Sequence, residues 1–205
     1  MHIPDGILSA PVLVGGAVLA AAGVAMGLRR LDDRAIPRTA ILSAVFFAGS
    51  LIAVPIGPTS VHLVFAGLMG VMLGWAIFPA VLVALGLQAV LFGFGGLTAL
   101  GVTTVVIAAP GALAGAILGP MICHAGRPAV AMGLAGLAGA LAVLGSAALV
   151  ALALVLSDGD FAPVARVMAA VYLPLAAVEA AVSAFVVGFL TRVQPGALSP
   201  LAVRA

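Results

Sequence analysis

The chain has 205 residues, 65% of them hydrophobic and only 7% charged, with a formal net charge of +2. A mean hydropathy of +1.39 excludes a soluble domain, which would have nothing with which to cover its surface, and marks a polytopic membrane protein. The basic residues are all arginines and are scattered, which excludes a nucleic-acid patch, and the single Cys123 allows neither an internal disulfide nor a C-x-x-C metal site.

The chain opens on Met1-His2-Ile3-Pro4-Asp5-Gly6, and this stretch carries its most distinctive chemistry. A free α-amine on Met1, the backbone nitrogen of His2 and the His2 imidazole can close fused chelate rings around one metal ion. Pro4 fixes its own φ and pushes Ile3 towards an extended conformation, and Asp5-Gly6 is turn chemistry. Residues 1–7 are therefore expected to fold back as a stiff hook, leaving an equatorial position that a second histidine could fill. An all-nitrogen planar set favours Ni(II) or Cu(II), with Co(II) a further candidate. A histidine at position 2 is ordinary by itself; the rigid turn behind it and the scarcity of other chemistry single it out. No basic region precedes the first apolar run, so no cleavable signal peptide is expected. The bulk of His2 predicts that Met1 is retained with its amine free.

Apolar runs near bilayer-spanning length divide the remainder. The first covers about 8–28 and stops at Arg29-Arg30-Leu31-Asp32-Asp33-Arg34, and the second covers about 39–54, closed by Pro55-Ile56-Gly57-Pro58-Thr59-Ser60. A third is expected over 62–78 and a short fourth over 80–92, divided at Pro79 and followed by Gly93-Phe94-Gly95-Gly96-Leu97-Thr98. The fifth, about 102–122, the sixth, 129–156, and the seventh, 167–190, are separated by polar loops around Cys123-His124 and Asp158-Gly159-Asp160. The predicted fold is an all-α bundle of about seven transmembrane helices. It forms one integral membrane domain over 1–205, with the hook at 1–7, the bundle at 8–192 and a tail at 193–205. With the N-terminus outside, Arg29, Arg30, Arg34, Arg38, Arg127, Arg192 and Arg204 all fall on the cytoplasmic side, and only Arg166 falls outside. The positive-inside rule therefore predicts an N-terminus outside and inserted toward the bundle, and a cytoplasmic C-terminus.

Small residues recur at helical spacing: Gly67, Gly70 and Gly74; Gly111, Gly115 and Gly119; Gly133, Gly136 and Gly139. Such faces let helices approach closely, within the chain or against a partner. Side chains able to do chemistry are few. His62 stands where an external loop enters the third span, on the same side as the hook, and is the best available fourth nitrogen ligand. It must be neutral to bind, so metal affinity is expected to fall as pH drops through the histidine range. Glu179 lies well inside the last span, where a carboxylate is costly unless it faces the interior or a partner. Support for the metal site, proton balance and capping of a kink are all open to it. Gln88, Thr98, Thr103 and Thr104 can supply interior hydrogen bonds, and His124 beside Cys123 is loop chemistry on the cytoplasmic side. There is no G-x-x-x-x-G-K-[ST] phosphate loop and no H-E-x-x-H, so neither ATP hydrolysis by that route nor zinc-protease chemistry is expected.

The opening Met-His-Ile-Pro-Asp-Gly, together with Pro58-Thr59-Ser60-Val61-His62-Leu63, Gly67-Leu68-Met69-Gly70, Gly95-Gly96-Leu97-Thr98-Ala99-Leu100-Gly101 and Leu173-Pro174 with Glu179, resembles the CbiM/NikM family. Members of that family are the membrane components that recognise Co(II) or Ni(II) in energy-coupling-factor transporters. The resemblance implies that the metal is held by the Met1 amine, the His2 amide nitrogen and imidazole, and His62. Asp5, Ser60, Thr98, Thr103 and Glu179 are candidates for supporting the ligands or lining the ion's pathway. The resemblance further implies a transmembrane coupling protein, cytoplasmic ATPase subunits and often a small accessory membrane protein as partners. The location implied is a bacterial or archaeal cytoplasmic membrane. Pro4-Asp5 resembles the nickel-type members, whereas cobalt-type ones tend to carry Met-Glu there. The chain departs from the family pattern at Thr103, Val106 and Tyr172, positions expected near the site or its entrance.

The function expected is capture of Ni(II), or secondarily Co(II), from outside by a non-catalytic subunit of an ATP-driven importer, with no resident cofactor. The rival readings are a stand-alone metal permease or channel, an intramembrane metalloenzyme, and an organic-micronutrient binder of the same architecture. The glycine faces are expected to serve the coupling partner as well as internal packing.

Overall fold

The computed structural model describes residues 3–52, 54–56 and 59–198. Its helices follow the apolar runs. Helix α1 (Ala10–Arg29) carries Pro11 in its first turn, where a missing N–H costs least, and ends on Arg29 at the negative end of its dipole. Helices α5 (Leu100–Cys123), α6 (Pro128–Ser157) and α7 (Ala162–Val193) keep close to the expected bounds.

Three boundaries differ from the sequence reading: the end of the second helix, the start of the third, and the division between third and fourth, which falls at Gly74–Ala76 and leaves Pro79 within the first turn of the fourth. Helix α2 (Ile36–Gly49) stops at Gly49 instead of running to about 54. Ser50 turns its hydroxyl back onto the Phe46 carbonyl at 2.6 Å, and Gln88 donates to the Phe47 carbonyl at 3.0 Å and to Ser50 Oγ. These bonds satisfy the last carbonyls of the helix without another turn. Strands β1 (Val54–Ile56) and β2 (Thr59–Val61) then pair as a short antiparallel hairpin. The second difference is at His62, which lies outside the third helix, because α3 (Ala66–Leu73) begins only after Phe65.

Between α3 and α4 (Ile77–Phe92) lies one 3-10 turn, Gly74–Ala76. By length and composition Ala66–Phe92 is a single 27-residue apolar stretch, one of five such stretches among the described residues long enough to cross a membrane. Contacts with α2 divide it. Residues of α4 follow α2 in the same direction, with Ser43 bonded to the Ala80 carbonyl at 2.7 Å and Gln88 bonded near the end of α2. His62 and Phe65, which lead into α3, also stand at the end of α2, beside Phe46 and Gly49. The chain therefore goes down α3 and returns up α4. Gly74 makes the reversal at φ 56°, a conformation that costs a side-chain-bearing residue but not glycine. It is a turn, and so has left the helix face on which its spacing had placed it.

All eight residues of α3 are buried. The backbone of Gly67 touches Ala138 and Gly139 of α6, and that of Gly70 touches Gly111 of α5. Helices α6 and α7 run antiparallel, with Gly136 and Gly139 against Ala180 and Ser183, while Gly133 meets nothing within 4 Å. The glycine faces are thus largely spent on internal packing, in the close-backbone manner expected without water to drive association. One end of the bundle carries the tie between Asp5 and Thr98, and at the other end of α5 the Cys123 thiol donates to the Leu198 carbonyl at 3.0 Å.

Candidate metal centre

His62 sits on the connector 62–65 between β2 and α3, with only 3% of its surface exposed. Its Nδ1 lies 2.8 Å from the carbonyl oxygen of Leu63. A carbonyl only accepts, so Nδ1 carries a proton, and whenever the ring is neutral Nε2 is its lone-pair nitrogen. That is the tautomer a metal ligand needs. The Phe46 ring packs edge-on against the imidazole at a centroid distance of 6.2 Å.

Glu179 reaches the same connector from α7. It is fully buried, and its Oε1 accepts the amide hydrogens of Val64 and of Phe65, the latter at 2.9 Å, while Oε2 stands 3.1 Å from the Phe65 nitrogen. Phe65 is left-handed at φ 52°, so the two successive amides form a concave donor pair at the positive end of α3. The chemistry explains how a carboxylate is tolerated within an apolar span: backbone dipoles replace the water it has lost.

The described chain enters at Ile3, already fully buried. Two residues later Asp5 Oδ1 accepts the Thr98 hydroxyl and the Thr98 amide, the amide at 3.0 Å. Gly96 allows this approach, because any Cβ there would run into the Asp5 carboxylate. The Thr98 hydroxyl bond, helped by amides of the same loop, holds the Asp5 carboxyl below its ordinary pKa. Asp5 thus ties the chain behind the Met1-His2 dipeptide to the loop between α4 and α5. Helix α4 ends beside the end of α2, so this tie and His62 share one end of the bundle.

Met1 and His2 lie outside the described residues, as does the Ser60 side chain. Thr103 is buried in α5, and it shares no hydrogen bond with either cluster among the described residues. Val106, expected near the site, lines an apolar groove of about 450 Å³ between α1, α5 and α6 together with Val12, Gly16, Val102 and Leu149. That groove has no donors for a cation. Tyr172 is fully buried in α7. Gln88 and Thr104 make interior hydrogen bonds as expected, Thr104 to the Leu100 carbonyl at 2.8 Å. His124 caps the end of α5 through the Pro120 carbonyl at 2.7 Å and is exposed. Among the described residues no three His, Cys, Asp or Glu side chains come together as a metal cluster. The Val64 and Phe65 amides are the part of this region that side-chain reasoning missed, since backbone donors leave no mark in a sequence.

Known proteins resemble this chain in sequence and in fold. Residues 2–197 match the model of the CbiM family, described as the cobalt uptake substrate-specific transmembrane region. A Haemophilus influenzae protein named "Putative metal transport protein" is 38% identical over 95% of each chain. The fused nickel transport protein NikMN of Rhodobacter capsulatus is 39% identical over 61% of this chain, which spans 35% of that longer protein. A crystal structure of a transition metal transporter superposes with a TM-score of 0.83 at 27% identity, covering 94% of this chain and 93% of the other. With a family match along nearly its whole length and a relative 38% identical over 95% of each chain, this chain belongs to the CbiM family of membrane metal-transport components.

Proposed function

We propose that this chain is the substrate-capturing component of an ATP-driven energy-coupling-factor importer, and that its cargo is Ni(II), with Co(II) as the secondary substrate. The Met1 amine, the His2 amide nitrogen and imidazole, and His62 Nε2 supply a planar four-nitrogen set. The observation that carries the reading is His62 itself, buried at the hook end and committed by the Leu63 carbonyl to the tautomer that offers Nε2. A set with every equatorial position filled by protein leaves little room for a reactive water, so it suits holding a metal better than catalysis. Asp5 and Thr98 anchor the hook from behind. Ni(II) over Co(II) rests on the preference of planar nitrogen donors and on Pro4-Asp5.

The energy comes from partners: a transmembrane coupling protein and cytoplasmic ATPase subunits, in a bacterial or archaeal cytoplasmic membrane. Their cycle must present a state in which the ion is bound less tightly, because only differential affinity can move it. Uptake of radioactive nickel tests this in cells producing the chain with or without ATPase and coupling subunits from its own genome. Accumulation only with active ATPase is expected. Equal accumulation by the chain alone would overturn the reading in favour of a stand-alone permease.

A further inference from the structure

The Leu63–Val64 peptide faces two functional groups at once. Its carbonyl accepts the His62 Nδ1 hydrogen at 2.8 Å, and its N–H donates to Glu179 Oε1. A peptide unit is planar and stiff, so fixing its N–H also fixes the direction of its carbonyl. We propose that Glu179 is a positioning residue for the metal centre, aiming His62 and fixing its tautomer through this single peptide group. The proposal rests on the reading above, in which His62 supplies the fourth nitrogen.

The arrangement is a carboxylate–peptide–imidazole relay. In many metal sites a carboxylate bonds the far nitrogen of a ligating histidine directly, setting its orientation and raising its basicity. Here a peptide dipole stands between the two, and hydrogen bonds in such a chain polarise one another in the same sense. The second bond, to Phe65, holds the next peptide and the left-handed turn at φ 52°, a conformation that persists only where its surroundings enforce it. Glu179 has little freedom to drift. Beside it, Gly139 of α6 packs so closely that a Cβ there would stand 2.7 Å from Ser183 Oγ and 2.8 Å from the Glu179 carbonyl. On its other side the same α6 segment touches Gly67 in the first turn of α3. Three helices thus meet backbone to backbone at the level of the relay, and the position of α7 is transmitted to His62. A partner that shifts α7 against α6 would move the fourth ligand without touching it.

The test compares wild type, Glu179→Ala, Glu179→Gln and His62→Ala in the full-length chain tagged at its C-terminus. In the metal-free protein, nitrogen NMR of the His62 ring reads the tautomer, with His62→Ala assigning the signal. Wild type is expected to hold the Nδ1-protonated form, and Glu179→Ala to show a mixture. Ni(II) affinity is expected to fall about 10- to 100-fold in Glu179→Ala. X-ray absorption should then count the same reduced number of bound imidazoles as in His62→Ala, and the double variant should bind no more weakly than His62→Ala. Glu179→Gln keeps one acceptor for Val64 and should fall between wild type and Glu179→Ala; it carries the test if Glu179→Ala is not recovered folded. A wild-type tautomer with wild-type affinity in the Glu179 variants would overturn the proposal. If His62→Ala itself binds Ni(II) like wild type, the failure lies in the assignment of His62 as a ligand instead.

Discussion

Two carboxylates in this molecule do nearly the same thing in opposite surroundings. Asp5 and Glu179 each accept backbone N–H groups from a connector, Asp5 at Thr98 and Glu179 at Val64 and Phe65. Asp5 does so at the edge of the bundle, where water can replace any bond that is lost. Glu179 does so with no exposed surface, where nothing can. The same chemistry is therefore an adjustable tie in one place and a structural commitment in the other, because the cost of leaving a donor unpaired depends on burial far more than the bond itself does.

Acidification separates the metal ligands from the exposed tie and should have the largest effect. Neutral imidazoles are needed for binding, so lowering the pH through the histidine range, near about 6.5, is expected to release the metal completely. Asp5 behaves differently. Its folded pKa is lowered, so its tie is fully present above the ordinary carboxylate range and is lost only as pH falls through that lowered value. Protection of the Thr98 amide from hydrogen exchange should persist at pH values where equilibrium dialysis already finds no bound Ni(II).

The next largest effect is expected from Glu179→Ala, which strands two amides, at about 1–3 kcal/mol for each buried donor left unpaired. Denaturation of the detergent-solubilised chain measures it. Gly70→Ala comes next. Its Cβ would be driven into the Gly111 backbone, and such overpacking costs about 1–3 kcal/mol. Gly86→Ala, where nothing lies within 4 Å, should instead be neutral or slightly stabilising by helix propensity. Equal melting of the two glycine variants would contradict the close α3–α5 contact. Smallest are Asp5→Ala and Thr98→Val. Each should weaken Ni(II) binding less than any Glu179 variant, with Thr98→Val the milder because it keeps the amide bond, and the double variant should be no weaker than Asp5→Ala alone, which already removes the whole tie.

The comparison also explains what the sequence discloses. Runs bounded by charge or by Pro and Gly, such as α1, α5 and α6, are legible because the bilayer demands their length and composition. The end of α2 at Gly49 is not, since the chain runs on through Leu51 and Ile52 without a charge while the backbone leaves the helix, and the termination depends on Gln88 from another helix. His62 could be found because imidazole is rare here. Glu179 could be flagged as costly, but its role could not be read, since its partners are amides 115 and 114 positions away in the chain. The glycine stripes revealed close packing without revealing its partner, and the structure gives most of that packing to the chain itself.

The most direct test of the central claim is metal stoichiometry on the purified chain, tagged only at its C-terminus, with Ni(II) and Co(II) measured side by side. It is compared with a variant carrying one extra residue between Met1 and His2, which keeps every side chain but breaks the chelate register. The account predicts near-equimolar Ni(II) in the wild type, weaker retention of Co(II), and loss of both in the insertion variant. Equal metal in both proteins would contradict it and remove the N-terminus from the site.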